Sequence, residues 1–190
     1  GALGGVDEIA RGSVVVNDAG AYLNRLIWMC PDGSYTTYDK RHLFRMAAEH
    51  KHYAPGAKQL LVELNGWHLC PLVCYDLRFP VWSRQSATHS YDVLLYVANW
   101  PERRRYAWQT LLKARAIENL SYCIGVNRVG SDGTNVTYTG DSVALDFMGQ
   151  PIGTELEGEC VRTVSLDHAA LTAFRAKFPA HLDADEFDIR

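Results

Sequence analysis

Between two apolar, β-branched runs, YDVLLYVA at 91–98 and SYCIGVN at 121–127, lies the clearest helical stretch of the chain, 104–120. There Trp108, Leu111, Leu112, Arg115 and Ile117 recur at helical spacing. A strand, a helix and a second strand in that order call for a crossover and a parallel pairing, which rules out a simple all-β meander. Further runs at 13–16 (SVVV), 22–29 (YLNRLIWM), 35–38 (YTTY), 59–64 (QLLVEL), 67–73 (WHLCPLV), 142–146 (SVALD) and 160–166 (CVRTVSL) read as strands. PDGS at 31–34 and NG at 65–66 are turn chemistry, so 22–38 and 59–73 each read as a hairpin. A second helix is expected over 168–177, opened by Asp167 as N-cap and ended before Pro179, and a short one over 79–87. No linker, repeat or low-complexity tract interrupts the 190 residues. The expectation is one α/β domain that mixes hairpins with parallel strands. The acidic C-terminal stretch FPAHLDADEFDIR is expected to lie along the body or across a partner subunit.

Composition narrows the function classes. The chain is 47% hydrophobic and 22% charged, with a formal net charge of −3, which offers no broad basic surface to nucleic acid. The one basic cluster, Arg103, Arg104 and Arg105, reads as a solvated helix face. No apolar run approaches the roughly 18 residues of a membrane span, and GALGGVDEIA lacks the layout of a secretion signal. Five irregularly spaced cysteines (30, 70, 74, 123, 160) argue against a disulfide framework and for a reducing, cytoplasmic setting. Cys70 and Cys74, with His68 nearby, lack the second ligand pair of a zinc site, so no metal or other cofactor is expected.

The residues that invite chemistry centre on LVCYDLRFP, 72–80. A cysteine closing a buried strand is ordinarily small hydrophobic filler. At a strand-to-helix turn the same side chain is exposed, backbone N–H groups can hold an oxyanion, and the following helix would favour the thiolate. Lys40, just past 35–38, is either a solubilising strand-end charge or an ammonium at the mouth of a sheet. Glu49, in AAEHKHYAPG, is either a loop charge or a partner for such groups. Seven histidines allow a Cys–His pair, but none has a setting that marks it as a base.

Taken together, YDKRHLF…E…YAPG, LCPLVCYDLRFP, YVANWP…WQTLLKARAIEN and GDS resemble the nitrilase (carbon–nitrogen hydrolase) superfamily, with the closest likeness to its ω-amidase branch. The likeness runs from about residue 12 to the C-terminus. It implies a four-layer α-β-β-α sandwich that pairs as a homodimer or larger assembly. It matches the family's nucleophile to Cys74, its lysine to Lys40 and its supporting glutamate to Glu49. The implied chemistry is thiolate attack on an amide carbon, with Lys40 and N–H groups near Tyr75 stabilising the oxyanion and a thioester then hydrolysed. The implied substrates are ω-amides of 2-oxo dicarboxylic acids, 2-oxoglutaramate and 2-oxosuccinamate. Arg78 suits the substrate carboxylate, with a tie to Asp76 or to the sheet as its structural alternative, and Phe44 and Trp100 suit the pocket walls. Arg115 and Glu118 read as an ion pair between helix and sheet, and Gly140, Asp141 and Ser142 as a turn into a strand.

The family's general-base glutamate stands at the end of an early strand, in a Pro-Glu context upstream of the lysine. Of the acids before Lys40, Glu8 lacks the preceding apolar strand and lies too near Lys40 to match it, and Asp7, Asp18, Asp32 and Asp39 supply no such glutamate. The expectation is therefore a single domain over 1–190 that is N-terminally incomplete, lacking strand–helix units through truncation, proteolysis or disorder. A carbamoylase or nitrilase of the same superfamily, or a non-catalytic binding module without the base, are the competing functions.

Overall fold

The crossover around 104–120 exists and organises the larger part of the chain. The computed structural model describes residues 9–86, 89–154, 158–187 and 189. Asp7 and Glu8 lie outside the described residues. The chain divides into two compact units, residues 1–60 and 61–190.

The first unit is an antiparallel meander of β1 (Ile9–Asp18), β2 (Ala21–Met29) and β3 (Tyr35–Asp39), in the order β1-β2-β3. The PDGS turn forms as expected: Asp32 Oδ1 accepts the Ser34 N–H at 2.8 Å and the Ser34 hydroxyl at 2.6 Å. The β1–β2 hairpin was not anticipated. Its two-residue turn puts Ala19 at φ +50° and Gly20 at φ +88°, the left-handed pair that matches strand twist. Leu26, Trp28 and Tyr38 are buried, and Leu26 faces Tyr38 across the ladder. Arg25, opposite Asp39, grips its carboxylate with two bonds of 2.7 and 2.9 Å and also reaches Asp18.

The second unit is built on a five-stranded sheet. Its strands are β4 (Val62–Leu64), β5 (Trp67–Val73), β6 (Val93–Ala98), β7 (Tyr122–Asn127) and β10 (Val143–Leu145). The order is β10-β7-β6-β5-β4, with β5, β6 and β7 parallel and the two edge strands antiparallel. A separate hairpin joins β8 (Val129–Ser131) to β9 (Thr137–Thr139).

The helices are α1 (Pro80–Ser83), α2 (Arg105–Glu118) and α3 (His168–Lys177). Alternate residues of β7 face opposite sides. Gly125 meets α2 so closely that a Cβ there would stand 2.5 Å from a Leu112 methyl and 2.8 Å from the Trp108 ring. On the other face Tyr122 packs with Val93 and with Leu171 of α3. Asp167 caps α3 by accepting the Ala170 N–H at 2.9 Å, so that helix falls on the expected residues. Among the described residues no helix is long and apolar enough to cross a membrane.

Three local expectations fail. Ile117 shares the helical spacing of Trp108 and Leu112 in the sequence, but it is exposed, and Ala116 is buried in its place. The run 160–166 alternates in burial yet forms no ladder, because the sheet ends at β10 and β4 without receiving it. The helix expected over 79–87 shrinks to α1, a single turn that returns to extended backbone at Arg84.

Candidate active site

Cys74 follows β5 directly. The strand ends at Val73 in extended backbone, and Cys74 then turns to φ +47°, a left-handed conformation uncommon outside glycine. Such a residue costs on the order of 1–3 kcal/mol, so its surroundings must hold it there. The fully buried Asp76 does so in part by accepting the Val73 N–H at 3.1 Å. Cys74–Arg78 forms a 3-10 turn, and Arg115 of α2 ties it down by donating to the Leu77 carbonyl at 2.6 Å. The same guanidinium pairs with Glu118 at 3.0 Å, which is the expected ion pair with its anchor on the turn.

The helix expected to follow Cys74 and favour its thiolate is reduced to a single turn. Cys74 sits inside a 3-10 turn rather than ahead of a long helix, so a macrodipole contributes little there. Its left-handed backbone sets it apart from the other four thiols, and its exposure from Cys70 and Cys123. Cys70 and Cys123 are buried, which pushes both thiols well above the ordinary cysteine range, whereas Cys74 is half-buried.

Around Cys74 the second unit gathers a defined set of groups. The sulfur lies 4.0 Å from the Asn99 carbonyl oxygen. The Trp100 ring is buried, and its Nε1 donates to the Arg104 carbonyl at 2.8 Å. The Arg78 guanidinium sits 5.1 Å from the centre of that ring, in cation–π range. Arg78 is exposed and, among the described residues, forms no ion pair, so the expected salt bridge to Asp76 does not describe it. Tyr75 meets Phe79 edge to face at 5.1 Å. Arg104 was read as part of a solvated face; it is half-buried, and burial first, then the like charges of Arg103 and Arg78, hold its guanidinium below its ordinary value. Arg103 and Arg105 are exposed as expected, and Arg105 pairs with Asp141 at 2.5 Å.

Lys40 and Glu49 belong to the first unit. Lys40 is the residue after β3, and its N–H donates to the Asn24 carbonyl at 2.9 Å. The loop that leaves β3 returns at Gly56, whose N–H donates to the Lys40 carbonyl. A Cβ on Gly56 would stand 1.9 Å from the Asp39 carbonyl oxygen, so only glycine fits. The Lys40 side chain is 2% exposed, and its ammonium lies 2.7 and 3.0 Å from the two Glu49 oxygens. Glu49 also accepts the Phe44 N–H at 2.8 Å. A solubilising charge is therefore excluded for Lys40, since lysine is almost never buried without a partner.

The structure thus brings Lys40, Glu49 and the Phe44 backbone together in one unit. In the other it gathers Cys74, Tyr75, Arg78 and Trp100. Sequence reasoning passed over Asn127, whose side chain bonds to both ends of Trp100. Its one signal was a polar residue closing the largely apolar run SYCIGVN.

Comparison with known proteins gives these groups a context. The model of the carbon-nitrogen hydrolase family matches residues 5–176. Omega-amidase YafV of Escherichia coli (strain K12) is 51% identical over 182 residues, covering 95% of this chain and 70% of the relative. The 2-oxoglutaramate amidase of Bacillus subtilis (strain 168) is 32% identical over 177 residues, covering 93% and 68%. The crystal structure of XC1258 from Xanthomonas campestris, a CN-hydrolase superfamily protein with an arsenic adduct in its active site, is 50% identical. It superposes with a TM-score of 0.90 over 94% of this chain and 70% of that one. The chain belongs to the carbon-nitrogen hydrolase family, within the nitrilase superfamily.

Proposed function

We propose that this protein is an ω-amidase, which hydrolyses the terminal amide of a small 2-oxo dicarboxylic acid such as 2-oxoglutaramate or 2-oxosuccinamate. The observation that carries the reading is the 51% identity to omega-amidase YafV over 95% of the chain. In this reading Cys74 is the nucleophile, Lys40 the oxyanion-stabilising cation and Glu49 the carboxylate that fixes Lys40.

The sulfur bonds to the amide carbon, and the oxygen takes up the negative charge that Lys40 and the Tyr75 N–H offset. The carbon–nitrogen bond breaks, and the nitrogen leaves as ammonia with the proton of the thiol. Water then adds to the thioester, releasing the acid and restoring the thiol. In this reading Trp100 lines the substrate site, and Arg78 takes the distal carboxylate. Its support is an exposed guanidinium, seated on an aromatic ring and without an ion pair among the described residues.

The active form in this proposal is a cytoplasmic homodimer. Five free cysteines suit a reducing compartment. Tyr106 and Ile117 stand exposed on α2, as an interface helix would present them. Sedimentation of the pure protein tests the dimer. Ammonia release from 2-oxoglutaramate, measured against glutamine and a neutral amide of equal length, tests the activity. Equal rates on all three would defeat the assignment.

A further inference from the structure

Asn127 is the last residue of β7, and its side chain is buried, 8% exposed. Its carboxamide grips a single residue at both ends. Oδ1 accepts the Trp100 N–H at 2.7 Å, and Nδ2 donates to the Trp100 carbonyl at 3.0 Å. Nδ2 also donates to the Gly140 carbonyl at 2.7 Å. The Asn127 backbone N–H reaches the Ser142 hydroxyl oxygen at 2.9 Å, and that hydroxyl returns to the Asn127 carbonyl at 3.2 Å. Both side-chain polar atoms of Asn127 are thereby engaged.

The last parallel pair of β6 and β7 is Ala98 with Asn127. Beyond it the chain of β6 runs out as the loop Asn99–Pro101, with no strand to hold it. The Asn127 carboxamide supplies the missing rung, since it presents one acceptor and one donor to a peptide segment as a neighbouring strand would. What it fixes is consequential. The carbonyl of Asn99 faces the Cys74 sulfur at 4.0 Å, and the Trp100 ring carries Arg78 at 5.1 Å.

We propose that Asn127 is a positioning residue: by gripping Trp100 it sets the spacing between the Cys74 thiol and the Arg78 cation, and so the preference of the site for reactants bearing an anionic group. The inference rests on the reading of Cys74 as the nucleophile and Arg78 as the anion partner. It deepens that reading by naming the element that fixes their separation.

The test reads the thiol directly and needs no turnover. Cys74 is alkylated with iodoacetate, which carries a carboxylate, and with neutral iodoacetamide, and both rates are followed by peptide mapping. Asn127→Ala should slow iodoacetate at Cys74 by about fivefold or more as the local field is displaced, with iodoacetamide changing less than about twofold. Arg78→Gln should reproduce that loss, and adding Asn127→Ala to it should change little more, because both act on one interaction. Asn127→Ser, which keeps a small polar side chain, serves if the alanine variant does not fold, with an intermediate loss expected.

An unchanged ratio of the two rates, equal slowing of both reagents, or additive losses in the double variant would each overturn the proposal. Failure to release ammonia from any amide would instead defeat the ω-amidase reading and leave the ratio standing as measured.

Discussion

The Lys40 ammonium and the Glu49 carboxylate meet at 2.7 Å with 2% of the lysine side chain exposed. Removing one partner of such a pair leaves a buried charge uncompensated, whereas replacing both with apolar groups is often tolerated. Glu49→Ala should therefore destabilise the protein by about 2–4 kcal/mol, and Lys40→Met with Glu49→Leu by less. Urea unfolding midpoints of the two variants check this. A double variant less stable than the single would show that the pair is worth more to the fold than its desolvation costs.

Five thiols in one chain provide an internal control for Cys74. With a substoichiometric alkylating agent, Cys74 should react first, and Cys70 and Cys123, whose thiols are pushed up by burial, last. Tryptic mapping after brief exposure reads the order. Faster modification of Cys30 or of the exposed Cys160 would speak against an activated Cys74.

Arg78→Lys keeps the charge but loses the flat fork that matches a carboxylate and seats on Trp100. The expected outcome is a loss of at least about tenfold in kcat/KM on 2-oxoglutaramate relative to a neutral amide of equal length, as for a truncated charge-assisted pair. Equal losses on both substrates would make the arginine a structural residue.

The β8–β9 hairpin should respond to acid in a defined direction. The Thr134 hydroxyl, the Val136 N–H and the Tyr138 hydroxyl all donate to Asp132 and hold its carboxyl well below its ordinary value of 3.8. A carboxylate depressed in the folded state contributes its stability above that ordinary value, and the contribution is lost as pH falls through the folded one. The hairpin should stay formed at pH 5 and loosen only in strong acid. Amide exchange at Val136, compared between wild type and Asp132→Asn, reads this; the variant should lack the acid dependence.

Much of the scaffold was legible because local chemistry specified it. PDGS and NG set two hairpins, and Asp167 set the first residue of α3. What escaped was set by distant partners. The Ala19-Gly20 turn carries no strong turn signal at its first position, and the β8–β9 hairpin is organised by one carboxylate rather than by apolar alternation. The run 160–166 has the pattern of a strand but no sheet edge to receive it. At the site, the motif around Cys74 announced a turn but not its handedness. The burial of Lys40 was hidden because its partner stands nine residues on, at the start of a short 3-10 turn.

Cys74 at φ +47° also sets fitness for chemistry against fitness for folding at one position. Glycine accepts that conformation without steric cost, so Cys74→Gly should raise the thermal midpoint even as it removes the proposed nucleophile. Valine, branched at Cβ, should lower it. The side chain proposed as the nucleophile is one its backbone would be more comfortable without.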